Sequence, residues 1–131
     1  MLSAGYYDAY YKRAQKVRRL IIDEFAEVFK QVDVLVAPSS PNVAVKLGKA
    51  ADDPLFGYIA DQLNIPSSLA GLPALSIPCG FVRPQDGETP SMDGLPVGMQ
   101  IIGPQWGEQK VFDVGLAYQA NTDWHKKYPN L

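Results

Sequence analysis

Two side chains that often carry chemistry are almost missing. Cysteine and histidine occur once each in 131 residues, as Cys79 and His125. A lone cysteine cannot close an internal disulfide, so a reducing, cytoplasmic setting is expected. A zinc site would need more Cys or His, unless carboxylates stood in for them. No apolar run approaches the roughly 20 residues that span a bilayer. The opening residues, Met1-Leu2-Ser3-Ala4-Gly5, have no basic stretch leading into an apolar one, so no signal peptide is expected. A soluble chain with no membrane contact is the consequence. Positive charge is short as well: the net charge is −2 and the pI about 5.2. That field does not hold nucleic acid by itself. Gly-x-Ser-x-Gly elbows, phosphate-binding loops and dinucleotide fingerprints are absent too.

What remains is an ordinary globular balance, 47% hydrophobic and 20% charged, which argues against disorder. Tyr6 to Lys30 reads as a long amphipathic helix. Tyr10, Ala14, Val17, Ile21, Phe25 and Val28 recur at steps of three and four. Lys12, Lys16, Arg19, Asp23 and Glu27 take the opposite face, and Arg19 can pair with Asp23 at i,i+4. Lys12, Arg13, Lys16, Arg18 and Arg19 form a basic cluster, better read as a solvated face than as an RNA site.

Asp33 to Ala37 is short and apolar, which predicts a buried parallel strand. Pro38 and Pro41 end it and open a loop to Asp52. Asp53-Pro54 is a helix-start signal. The helix it predicts runs to about Asn64, with Leu55, Phe56, Ile59 and Leu63 as its buried stripe. Pro66 to Pro73 reads as a compact, turn-rich segment. Ala74 to Phe81 and Leu95 to Ile102 read as strands whose Pro78, Pro96 and Gly98 signal irregular pairing or an edge. Val82 to Gly94 is an exposed, mobile loop in this reading. Glu108 to about Asn121 forms a second amphipathic helix, with Val111, Val114, Gly115 and Tyr118 on one side. Asp123 to Leu131 is a polar tail over the surface. The order predicts an α/β fold, a mixed sheet flanked by helices, as one end of a larger sheet.

Few residues suggest function. His125 has no acidic or thiol partner in sequence and reads as a surface histidine. Cys79, inside an apolar strand, reads as a buried structural thiol. Ser67-Ser68 lacks a neighbouring base and an anion cradle, so a capping or turn role is favoured over a nucleophile. Asp61 lies opposite the apolar stripe of its helix with Tyr58 as its i−3 neighbour. Solvation is the bland reading and a ligand-facing carboxylate the sharp one.

The stretch Leu2 to Ile21, with its run Ala9-Tyr10-Tyr11-Lys12-Arg13-Ala14, resembles the amidase-signature family, in particular the branch that serves tRNA-dependent amidotransferases. The resemblance continues through Asp33 to Pro38, Ala51 to Pro54, Ile65 to Gly80 and Asp93 to Gly103. It takes in the closing helix and tail, so it covers nearly the whole chain. It departs at Val82 to Met92, where a hairpin is lengthened. It implies that residues 1–131 are the C-terminal segment of an amidase-signature α/β/α domain, with the long loop at 82–94. The family's catalytic residues, two serines and a lysine, lie upstream of the match. So does an arginine that holds the glutamine carboxylate. No catalytic or metal-binding residue is therefore expected in this chain. Asp61 matches the family's aspartate beside the glutamine α-amino group, which makes it the one substrate-binding candidate. The implied parent reaction hydrolyses glutamine, and its ammonia amidates activated glutamyl-tRNA(Gln) elsewhere in the complex with ATP and magnesium. The implied partners are the remaining N-terminal part of the same amidase protein, the B and C subunits of the amidotransferase, and tRNA held mainly by those other subunits. Two rival readings remain: a general amidase with another substrate, and a non-catalytic interaction domain.

Overall fold

A computed structural model describes residues 10–45, 55–83 and 94–128. The element order is α1 (Lys12–Val28), β1 (Leu35–Pro38), α2 (Phe56–Asp61), α3 (Ile65–Ala70), β2 (Ala74–Val82), β3 (Leu95–Ile102), α4 (Glu108–Ala120) and a 3₁₀ turn at Trp124–Lys126. The predicted helix start at Tyr6, the Asp53-Pro54 signal and the body of the 82–94 loop lie outside the described residues.

The three strands form one sheet in the order β1-β3-β2. β3 is central and antiparallel to both neighbours. The α/β class with flanking helices holds, but the predicted parallel strand is corrected. β1 runs antiparallel, with Leu35 opposite Ile102 and Pro38 opposite Met99. It is not fully buried either, since Val36 is 56% exposed. A short apolar run does not encode the direction of a partner far along the chain. The irregularity expected around Pro78 is present. The register slips between Pro78 and Gly80, leaving Cys79 as the extra residue of a bulge. Pro78 has no N–H to give to the ladder, so a bulge there costs little pairing.

Alternation on β3 separates two faces. Ile101, fully buried, points into a core with Ile77 and Val111, and Val34, Leu75, Met99 and Tyr118 pack around it. Helix α4 supplies Val111 and covers this face. Burying a side chain such as Ile101 contributes roughly 1.5–3 kcal/mol. The other face carries Gln100, Ser76 and Gly98, and side-chain bonds tie it to the turn joining α2 to α3.

Two helical expectations change. The Pro66–Pro73 segment is not merely turns: residues 65–70 are helical. Gly71 stops the helix in a left-handed conformation at φ 70°. Its N–H bonds Ser68 O, and that of Leu72 bonds Ser67 O, the two bonds of a Schellman stop, with Pro73 just beyond. Six residues are too few to show a helical period. The predicted buried stripe of α2 is also corrected. Leu55 and Ile59 are exposed and Leu63 is half-buried; the side chain of Phe56 lies outside the description. In α1 no residue is buried. Its Ile21 and Phe25, and Phe29 just beyond it, are half-covered, and Phe25 stacks on Phe29 at 6.3 Å.

Candidate functional site

Asp61 is the last residue of α2 and is exposed. Tyr58, one turn earlier, is 73% exposed. No basic residue sits in the last turn of α2, and no cation pairs with Asp61 among the described residues. Helix ends of this polarity already favour positive charge, because their carbonyls point outward. A carboxylate there adds to that preference, so the position suits a cationic group brought in from outside.

The turn after Asp61 is tied down by polar bonds. The Asn64 N–H donates to Asp61 O at 2.9 Å. The Asn64 side-chain amide donates to Ser39 O at 2.9 Å. Gln100, only 3% exposed, donates both amide hydrogens, to Pro38 O at 2.9 Å and to Leu63 O at 3.0 Å. Beside Ser39 opens a groove of about 370 Å³, walled by Ser40, Asn42 and Val43 to Val45 on one side and by Pro96 to Gly98 on the other. One segment, Pro38 to Asn42, thus joins this groove to the turn behind Asp61.

The remaining candidates fall away from any shared centre. Ser67 is buried and its hydroxyl donates to Asn64 O at 3.0 Å, a local helix bond rather than a nucleophile's arrangement. Cys79 is half-buried at the bulge, where Sγ donates to Val97 O at 3.5 Å. His125 is half-buried rather than on the open surface, and its Nδ1 has no hydrogen-bond partner among the described residues. The tail does pack onto the sheet, as Trp124 meets Phe81 edge-on at 6.1 Å and Lys127 lies 4.1 Å over the Trp124 ring. No hydrogen bond or ion pair joins Asp61, Cys79 and His125 among the described residues. The residues that sequence reasoning missed are Gln100, Asn64 and the Ser39–Ser76 pair. Gln100 had left a trace, as the only polar side chain between Met99 and Ile102.

The family model for Amidase matches residues 1–112, and the chain is a member of that family. Within it, the similarity is to one component of a larger enzyme. The chain is 52% identical over 130 residues to the A subunit of glutamyl-tRNA(Gln) amidotransferase from Rippkaea orientalis, and the match covers 99% of this chain and 25% of that protein. The corresponding protein of Hahella chejuensis is 51% identical with the same coverage. The chain thus spans about a quarter of the length of the curated relatives it matches, and the match falls in their C-terminal part. The crystal structure of the same amidotransferase component from Thermotoga maritima superposes with a TM-score of 0.69 at 47% identity, covering 83% of this chain and 22% of that one. An inhibitor-bound vestigial complex tied to the origins of an s-triazine catabolic enzyme gives 0.66 at 26% identity, covering 98% and 26%.

Proposed function

We propose that this chain is the C-terminal part of the glutaminase component of a tRNA-dependent amidotransferase and supplies one wall of the glutamine pocket. The observation that carries the reading is the 52% identity, across 99% of the chain, to a protein of that name. The exposed carboxylate of Asp61, without a cation among the described residues, supports it, because free glutamine presents an ammonium. A charge-assisted hydrogen bond from that ammonium would fix the substrate's orientation. The serine, serine and lysine of the hydrolytic step, and the arginine for the glutamine carboxylate, lie in the N-terminal part in this reading. By itself the 131-residue chain then releases no ammonia from glutamine.

In the same reading the ammonia passes to another subunit of the complex, where it amidates activated Glu-tRNA(Gln) to give Gln-tRNA(Gln) in the cytoplasm, and the partners are subunits B and C. ATP, magnesium and most tRNA contacts belong to those other subunits. Among the described residues no group of three or more metal-ligating side chains lies together, and no helix is long and apolar enough to cross a membrane. A second reading, an amidase for another amide, is favoured by the likeness to the s-triazine-related complex.

One experiment separates the two readings. In the complete enzyme, Asp61→Asn removes the charge and keeps the size. Catalytic efficiency toward glutamine should fall by roughly 1.5–3 kcal/mol, about ten- to a hundredfold. An amide lacking the α-amino group should be far less affected. Glutamine hydrolysis unchanged by Asp61→Asn would leave Asp61 a solvated helix residue and this segment scaffold alone, whereas a parent enzyme that turns over the amine-free amide but not glutamine would favour the other amidase.

A further inference from the structure

Helix α2 ends in a turn that hydrogen bonds tie to the sheet. Those side-chain bonds come from two carboxamides, Gln100 and Asn64. Gln100 sits on the central strand, on the face opposite Ile101 and the hydrophobic core. Its two amide hydrogens reach backbone carbonyls of two separate segments, Pro38 at the end of β1 and Leu63 in the turn. A buried carboxamide must find such partners, because an unmet donor loses its water without any replacement. The turn can therefore sit in only a narrow range of places relative to β1 and β3.

Asn64 repeats the device one residue later. Its side chain holds Ser39 O, its backbone N–H holds Asp61 O, and its own carbonyl accepts from Ser67 Oγ. Ser39 is itself bonded to Ser76 across the sheet at 2.6 Å. The peptide of Asp61 is thus one hydrogen bond from a network rooted in all three strands. An apolar residue of similar volume at position 100 would fill the space as well. It would not set the distance between Leu63 and Pro38.

We propose that Gln100 and Asn64 are positioning residues for Asp61, holding the α2–α3 turn against the sheet so that the carboxylate meets the substrate ammonium; this rests on the reading of Asp61 given above. Neither side chain is assigned a contact with substrate. Their effect is on selectivity for an amine-bearing amide over one without the amine.

The test compares efficiency toward glutamine with efficiency toward glutaric acid monoamide, in the complete enzyme that carries this segment. Asp61→Asn, Asn64→Ala, Gln100→Met and the double variant Asp61→Asn/Asn64→Ala are measured side by side. Asn64→Ala and Gln100→Met should each lower the glutamine-to-monoamide ratio about five- to tenfold, mainly through KM. Asn64→Ala should add little in the Asp61→Asn background, since its effect runs through that carboxylate. If Gln100→Met fails to fold, as a buried site allows, Asn64→Ala decides alone, because that side chain is exposed. A ratio lowered by Asp61→Asn but untouched by Asn64→Ala, or additive effects in the double variant, would overturn the positioning role and leave Asp61 in place. A ratio that Asp61→Asn does not move would bring down the Asp61 reading and, with it, this proposal.

Discussion

The hydroxyls of Ser39 and Ser76 lie 2.6 Å apart across the central strand, and Gly98 passes beneath them. A Cβ at Gly98 would sit 2.8 Å from Ser39 Oγ and 3.2 Å from Ser76 Oγ. Glycine is therefore what lets the flanking segments reach each other over β3.

Gly98→Ala is predicted to displace the Ser39 hydroxyl and break the Ser39–Ser76 bond. The expected loss of stability is about 1–3 kcal/mol, from overpacking and the lost bond together. Adding Ser39→Ala removes the closest contact and should recover part of that loss. Urea unfolding midpoints of the parent, Gly98→Ala and the double variant check this. Equal midpoints for the parent and Gly98→Ala would show that the strands can separate without cost.

How much of this was legible beforehand depended on range in sequence. β2, β3 and α4 each announce themselves within a dozen residues, as apolar runs bounded by Pro, Gly or charge. The bulge at Cys79 was foreshadowed by Pro78. The direction of β1 and the exposure of its Val36 depend on strands far along the chain, and local patterning missed both. Helix α3 was hidden because Pro66, Gly71 and Pro73 are turn residues, and in a six-residue helix they are also its start and stop signals. Asp61 could be nominated from a family resemblance and a helical period. The clamp behind it could not, because Gln100 meets Leu63 and Pro38 only through the fold.

Asp33 offers a pH prediction. Lys110 lies 2.7 Å away, and its hydrogen bond and charge hold the Asp33 carboxyl below the usual aspartate range. A depressed folded-state value means that the contribution to stability is present above the unfolded value, about 3.9, and is lost as pH falls through the lower folded value. Both side chains are exposed, so salt should weaken the effect. In Lys110→Met the Asp33 carboxyl should titrate higher, closer to an ordinary aspartate. Carboxyl NMR titration at low and high salt reads this directly. An unchanged titration in Lys110→Met would assign the shift to another cause.

The last prediction concerns tRNA. The first helix gathers Lys12, Arg13, Lys16, Arg18 and Arg19, a stripe that could suggest a phosphate-binding face. Two of its members are already engaged. Arg18 Nε donates to Leu69 O at 2.7 Å, which helps hold α1 against α3, and Arg19 pairs with Asp23 at 3.0 Å. Further along the helix Glu24 and Glu27 turn the field negative, with Lys30 drawn to Glu27 at 2.6 Å. Across the chain the net charge is −2. A stripe this short neutralises few phosphates, and affinity from counterion release grows with each phosphate neutralised. The chain alone should therefore bind tRNA with a dissociation constant no tighter than about micromolar at physiological salt, the usual range of non-specific binding. The fall of affinity with added salt should be shallow for the same reason. Filter binding over a salt series measures both. Nanomolar binding would mean that α1 is a true tRNA surface, and the assignment of tRNA contacts to other subunits would have to be withdrawn.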